Sequence, residues 1–317
     1  MSSYFDVSGG QPFERFDRHI EMKVGEDGTI VIVMNHPDGG MNLLGTTAQI
    51  AAEILGVHYE NVRHVHDETE ARIWEFGMGA NSGLFTIGNA IAKAANSLKQ
   101  KIFEETAYQL KVEADSLYIE AGVVHAKNKE NLQISLKDLV NNALLKGTEA
   151  ARSIAVMESY QPTENPNPFG AVFTDVAVDT ETGEVKIEKL VLVHDIGRAI
   201  NPTTVEGQLE GGISMGVGYA MFEDPSIHPE TGVMGGDNYN TYRIPSTLDM
   251  PDLDVLLHEE PSKSGPFGGK GVGMCGVQSI VPAIANGIYD AVGVRLTEIP
   301  FTPERVLAAI NAGGIRG

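Results

Sequence analysis

Gly265-Pro-Phe-Gly-Gly-Lys-Gly-Val-Gly-Met-Cys-Gly276 is the stretch of this sequence best suited to chemistry at the backbone. A glycine-crowded loop that opens a helix presents several N–H groups together with the positive end of the helix dipole. That combination favours a phosphate or an oxo group. Lys270 is followed by Gly271 rather than Ser or Thr, which excludes a Walker loop. Gly271 to Gly276 spells G-x-G-x-x-G, yet a dinucleotide-binding turn must leave directly from a buried strand. Residues 261–270, Pro-Ser-Lys-Ser-Gly-Pro-Phe-Gly-Gly-Lys, are no such strand. A tight turn kept for packing alone is the remaining alternative.

A second cluster, Glu206-Gly-Gln-Leu-Glu-Gly-Gly-Ile-Ser-Met-Gly-Val-Gly218, has helical periodicity and five glycines. Each costs about 1 kcal/mol relative to alanine in a helix interior. Such a cost is tolerated where helices touch or where a ligand presses on backbone. Gln208 could offer its amide to an oxo or phosphate group, or it could simply be satisfied within a helix contact. His64 and His66 alternate, so a strand places both on one face; a metal pair is conceivable, but no third ligand is evident and a solvated strand face is the simpler reading. Cys275 is a lone thiol with no base placed by the sequence.

Composition narrows the partners. Lys plus Arg number 23 against 43 Asp plus Glu, a net charge of −20, so nucleic acid and anionic membrane are poor partners. The single cysteine excludes an internal disulfide, a Cys-type zinc site and any iron–sulfur cluster held by this chain alone. The N-terminus has no basic and apolar leader, no apolar run is long enough to span a bilayer, and a cytoplasmic protein is expected. Apolar residues at 42% suffice for a substantial core, and 317 residues allow one large or two ordinary domains.

The elements that must position these residues follow from local signals. Residues 1–17 read as an arm or tail. His19–Val24, the turn Gly25-Glu-Asp-Gly28 and Thr29–Met34 predict a hairpin. Helices are predicted from about Thr46 to Leu55, closed by Gly56, and over roughly 86–110 after a loop at 76–83. A short hairpin is expected over 117–126, then a helix capped by Ser135 and ending near Gly147. The Pro/Asn run 160–169 is the best linker, dividing the chain into 1–159 and 160–317. Beyond it a hairpin turns at Thr180-Glu-Thr-Gly183, with Leu190–Val193 apolar on both faces and expected to be buried. A helix follows Asn201-Pro202, a strand covers Leu253–Leu257, an apolar helix runs from about Val277 to Ala291, and Thr302-Pro303-Glu304 opens the last helix. The class is α+β, and no internal repeat is seen.

In order and spacing, these motifs resemble the xanthine dehydrogenase and aldehyde oxidase family, the molybdenum hydroxylases. The matching stretches are Val178-Asp-Thr-Glu-Thr-Gly-Glu-Val185, His194-Asp-Ile-Gly-Arg-Ala-Ile-Asn-Pro202, Val205-Glu-Gly-Gln-Leu-Glu-Gly-Gly212 and Tyr242-Arg-Ile-Pro245. Gly265–Gly273, Ala283–Gly293 and Thr302–Leu307 complete the set, with looser matches at Ala48–Gly56 and Gly88–Ala92. The resemblance implies the second, C-terminal half of the molybdopterin-binding domain, built as two α+β subdomains, with the Gly-rich cofactor loops in 160–317. In supplying one half only, the chain resembles the medium molybdopterin subunit of nicotinate dehydrogenase.

The resemblance also implies molybdopterin with molybdenum, in bacterial members generally as molybdopterin cytosine dinucleotide. Implied partners are a larger molybdopterin subunit, an FAD subunit and a 2Fe-2S subunit, with a small-molecule substrate and neither nucleic acid nor membrane. Gln208 and the loop Gly269, Lys270, Gly271, Val272 and Gly273 match positions that hold the pterin and face the metal. Asn81, Ser82 and Gly83, with Leu84 and Thr86 after them, fall at the family's loop around the pterin dinucleotide. Two departures stand out. Where the family carries a glutamate as general base, this chain has Met274, whose thioether accepts no proton near neutral pH. Where the family has Gly-Gln-Gly, this chain has Gly40-Met41-Asn42, and the 81–83 loop lacks the family's Arg. The activity implied is hydroxylation, or reductive dehydroxylation, of an N-heterocyclic, aromatic or aldehyde substrate; the alternative is a non-catalytic paralogue kept for assembly.

Overall fold

A computed structural model describes residues 1–5, 18–66, 68, 77, 79–127, 129, 131–145 and 153–313. In chain order the elements are β1 (Ser2–Phe5), β2 (Arg18–Val24), β3 (Ile30–Met34), α1 (Leu43–Leu55), β4 (Val62–His66) and α2 (Ser82–Leu110). Next come β5 (Leu117–Glu120), β6 (Val123–Ala126), β7 (Gln133–Ser135), α3 (Leu136–Leu145) and β8 (Ala155–Tyr160). β9 (Phe169–Val178), β10 (Val185–Asp195), α4 (Pro202–Met221), β11 (Asp252–His258), α5 (Cys275–Gln278), α6 (Ile280–Val292) and α7 (Pro303–Gly313) complete the chain.

Two compact units emerge. One gathers Met1–Asp6, Asn167–Glu260 and Val272–Gly317; the other gathers Val7–Pro166 and Pro261–Gly271. The main crossing falls inside the Pro/Asn run, and two short segments are exchanged around it. β1 joins the later unit because its backbone pairs antiparallel with β9, Ser2 opposite Val172. Pro261–Gly271 joins the earlier unit because it lies on α2, where Asn89 Nδ2 donates to Ser264 O at 2.9 Å. A Cβ at Gly88 would come within 2.8 Å of Pro266, so only glycine admits this loop so close to the helix.

In the earlier unit, the sheet runs β4-β3-β2-β8. The hairpin turns where expected, with Gly28 at φ 87°, and β3 is buried along its whole length as an inner strand. β3 and β4 are parallel, so the chain leaves both at the same end of the sheet. α1 starts one turn earlier than its periodicity predicts and ends at Gly56 in the left-handed conformation. β5-β6-β7 form a small separate sheet. Ser135 Oγ accepts from the Asp138 N–H at 3.0 Å and caps α3; the expected end near Gly147 lies outside the described residues.

The later unit carries the sheet β1-β9-β10-β11, with β10 and β11 parallel. Leu190 and Leu192 are buried against Leu209, Ile213 and Ile284 from the helices. Val191 and Val193 are only half-buried, so β10 buries one face rather than both. The apolar run expected as one helix is two, α5 and α6, parted at Ser279. Pro282 explains the break: its ring would collide with the carbonyl four residues back, whereas the first turn of α6 accommodates it. Among the described residues no helix is long and apolar enough to cross a membrane.

Candidate functional site

The earlier unit places its candidate residues at one end of the sheet. α1 leaves the C-terminal end of β3 through residues 35–42, and β2, antiparallel to β3, begins at that same end with Arg18. Arg18 is 1% exposed, and its Nε donates to Thr86 Oγ1 at 3.0 Å in the opening turns of α2. Thr86 Oγ1 in turn donates to Ser82 O at 2.9 Å, and Arg18 Nη2 donates to Gly77 O at 2.7 Å. Burial lowers the guanidinium to a pKa of about 10.

α2 begins unusually. Asn81 is left-handed at φ 56°, as is Ala80 at φ 51°, and the Asn81 side chain does not cap the helix. Asn81–Leu84 thus span the entry and first turn of a 29-residue helix, where the sequence suggested a loop. Ser82 is fully buried and its Oγ finds no hydrogen-bond partner among the described residues. A buried hydroxyl without a partner carries a desolvation penalty of about 1–3 kcal/mol. Sited at the positive end of a helix dipole, it suits an added oxyanion.

Met41 and Asn42 stand at the start of α1, Asn42 left-handed at φ 54° and exposed. Its side-chain amide lies against Gly45 in the first turn, so its contacts are local. Nearby, His36 is 2% exposed and burial pushes its pKa down to about 4, with the charge of Arg18 adding to the effect. His64 is also lowered to about 4 by burial and then by His66, and its Nε2 pairs with Thr47 Oγ1 at 3.1 Å. His64 thus serves a contact with α1, and no group of three candidate metal ligands occurs among the described residues.

The Gly-rich loop is divided between the units, Gly269, Lys270 and Gly271 counting with the earlier and Val272, Gly273 and Met274 with the later. Gly269, Lys270 and Gly271 are buried. Phe267 (φ 51°) and Gly268 (φ 90°) turn the chain, and the amides of Gly268 and Gly269 donate to Gly265 O and Pro266 O. No strand precedes this turn directly, since β11 ends at His258, so the dinucleotide reading of Gly271–Gly276 fails on structure too.

In the later unit Gln208 is brought to the other part of that loop. Its Nε2 donates to Gly273 O at 3.2 Å, so the amide nitrogen positions the turn before Met274. α4 sits close enough to do this because Gly212 packs on Gly276, where a Cβ would come within 2.8 Å of Gly276 Cα. Asn201 fixes the start of α4: its Oδ1 accepts from the Thr204 N–H at 3.3 Å, with Pro202 in the first turn. Met274 is 62% exposed. A Cβ at Gly207 or Gly211 would meet nothing within 4 Å, leaving open space along the backbone of α4 above the Gln208 turn.

Sequence reading missed Arg18, one residue ahead of the expected strand, and His36, which it left in a loop. The available signal was weak: one cation at a strand start and one histidine after an apolar run.

The family model described as molybdopterin cofactor-binding domain matches residues 1–251. The xanthine dehydrogenase molybdenum-binding subunit of Escherichia coli O157:H7 is 30% identical over 294 residues, 92% of this chain and 39% of that protein. The 6-hydroxypseudooxynicotine dehydrogenase complex subunit gamma of Paenarthrobacter nicotinovorans is 30% identical over 298 residues, 90% of this chain and 37% of that protein. The crystal structure of quinoline 2-oxidoreductase from Pseudomonas putida 86 matches with a TM-score of 0.88 and 25% identity, over 98% of this chain and 41% of that one. The chain thus spans about two fifths of the length of these relatives.

Proposed function

Because the chain belongs to the molybdopterin cofactor-binding domain family of the molybdenum hydroxylases, we propose that it is the molybdopterin-binding subunit of a multi-subunit oxidoreductase. The substrate is an N-heterocycle, an aromatic ring or an aldehyde, hydroxylated or reductively dehydroxylated. The observation that carries the reading is the buried Ser82 hydroxyl at the start of α2, which has no hydrogen-bond partner among the described residues. It is a donor waiting for an acceptor, at a helix end that attracts negative charge.

The chain's own residues fit a pterin with a phosphate tail. In the earlier unit the candidate positions are Asn81, Ser82, Gly83, Leu84 and Thr86 at α2, braced by Arg18 through Thr86, and the turn Gly269–Gly271. In the later unit they are Val272 and Gly273, held by Gln208. Met41 and Asn42 at the start of α1 are the remaining candidate positions, with the Asn42 amide against Gly45 of its own helix. When bound, molybdenum supplies two-electron redox chemistry between a substrate C–H and water on one side and C–OH on the other. The 2Fe-2S and FAD subunits would carry the two electrons away. Molybdopterin cytosine dinucleotide is the form proposed, the larger molybdopterin subunit supplies the remaining half of the cofactor pocket, and the assembly works in the cytoplasm.

Met274 sets the limit of this chain's contribution. An exposed thioether orients or packs against a ring but moves no proton. Hydroxylation of a C–H by water releases two protons with the two electrons, and the one that a glutamate at this position would take goes instead to a base on the partner subunit. Turnover is tested by offering the purified complex N-heterocycles and aldehydes with an artificial electron acceptor. We expect slow wild-type oxidation, raised about 10²-fold or more by Met274→Glu, the range a positioned base provides. A cofactor-loaded complex inert in both forms would instead favour the assembly-only reading that Met274 also motivates.

A further inference from the structure

The later unit exposes apolar side chains where its own fold has no use for them. On α4, Met215 is 62% and Tyr219 53% exposed, in line with Gly207 and Gly211 at successive helical turns. From residue 222 to 250 the chain makes an excursion without helix or strand, apart from one bridge between Ile227 and Met234. It holds Tyr239 89% exposed and Leu248 94% exposed, and it also exposes Ile244. The excursion is pinned to the end of α4. Tyr242 Oη donates to Glu223 Oε2 at 2.6 Å, and Gly218 admits Pro245, where a Cβ would come within 2.9 Å of its ring. The excursion is thus joined to the end of α4, and exposed apolar side chains lie on both the helix face and the excursion.

We propose that this surface, Gly207–Tyr219 of α4 with the Tyr239–Leu248 arm, is the docking face for the remaining part of the molybdenum-binding polypeptide, carried on the larger subunit. The assignment rests on the function proposed above. Two observations select that occupant. The solved quinoline 2-oxidoreductase chain contains this whole fold in 41% of its length, so a larger body of polypeptide accompanies the fold there. The surface is also acidic: residues 202–250 hold seven carboxylates, at 206, 210, 223, 224, 230, 237 and 249, and Arg243 as the one Lys or Arg. A second copy of this chain, with a net charge of −20, would bring like charge to it, whereas a partner with a basic rim and an apolar centre complements it. Gly207 and Gly211, where a Cβ would meet nothing within 4 Å among the described residues, let such a partner press on the helix backbone.

The test uses the complex purified from its own host through a tag on this chain. Backbone hydrogen exchange and surface cross-linking compare the complex with the isolated chain, while metal and pterin are assayed on the same sample. We expect residues 207–219 and 237–248 to gain at least tenfold protection and to cross-link to the larger chain. Met215→Glu and Leu248→Asp, both at solvent-exposed positions, should keep the isolated chain's melting temperature and lower recovery of the larger chain at least tenfold. Unchanged exchange at this surface in a complex that contains molybdenum and pterin overturns the docking face and leaves the cofactor reading intact. A surface covered by the larger chain in a complex without pterin upholds the docking face and sinks the cofactor reading. Protection by a second copy of this chain overturns the choice of occupant.

Discussion

The two glycine-lined faces of α4 obey different rules. On the inner face, Gly212 and Gly216 are required by the chain itself: a Cβ would lie 2.8 Å from Gly276 Cα and 2.5 Å from Ile280 Cβ. On the outer face, a Cβ at Gly207 or Gly211 would meet nothing within 4 Å among the described residues, and each still carries the entropic penalty of glycine in a helix. Close packing accounts for the first pair and not for the second. A residue that weakens the free chain without packing benefit is a mark of something that arrives from outside.

Substitutions at these positions sharpen the contrast. Gly216→Ala should destabilise the later unit by about 1–3 kcal/mol, the range for overpacking a tight contact, seen as a lower urea midpoint. A second contrast is between the units, since the strongly lowered histidines lie in the earlier one. His36 titrates near 6.5 when unfolded and near 4 when folded. Between those values the unfolded chain binds the proton that the folded chain refuses, so stability is full above about pH 6.5 and falls as pH drops toward 4. His64, lowered to about 4 in the same unit, adds a loss of the same sign, so His36→Gln should remove only the His36 share, about 2–3 kcal/mol at pH 4.5, and leave the remainder in denaturation curves. Asn201→Ala removes the cap of α4 and should cost about 1 kcal/mol, again by denaturation. Gly211→Ala should do the opposite of Gly216→Ala and stabilise the isolated chain by about 0.5–1 kcal/mol while weakening recovery of the larger subunit. A destabilised Gly211→Ala chain would break the comparison.

The start of α2 extends the lesson. α4 opens with a cap that its own sequence provides, Asn201 ahead of Pro202. α2 opens on left-handed Asn81 with a buried hydroxyl left over. Ser82→Ala should be neutral or stabilising in the free chain, since it deletes an unsatisfied group, yet lower pterin retention; equal retention would make Ser82 merely structural.

What could be read from the sequence was local. Gly28 in its turn, Gly56 closing α1, Asn201-Pro202 and Ser135 announce themselves through backbone chemistry within a few residues. Pairings that span the chain left no such mark: β1 on β9, β8 on β2, or the parallel β3 and β4. The start of α2 was hidden because Asn81 is a cap residue by type but left-handed by conformation. The break at Ser279 was signalled by Pro282 and passed over. Among the candidate residues, Gln208 and Gly273 are brought into contact, while Arg18 reaches α2 only through tertiary structure.

The claim on which the rest depends is that this chain helps to hold a molybdenum–pterin cofactor. Metal analysis and pterin oxidation of the intact complex from its native source test it directly. The account predicts molybdenum and pterin near one per copy of this chain, with a cytidine nucleotide released on acid hydrolysis. A complete, redox-competent complex with neither molybdenum nor pterin would contradict it.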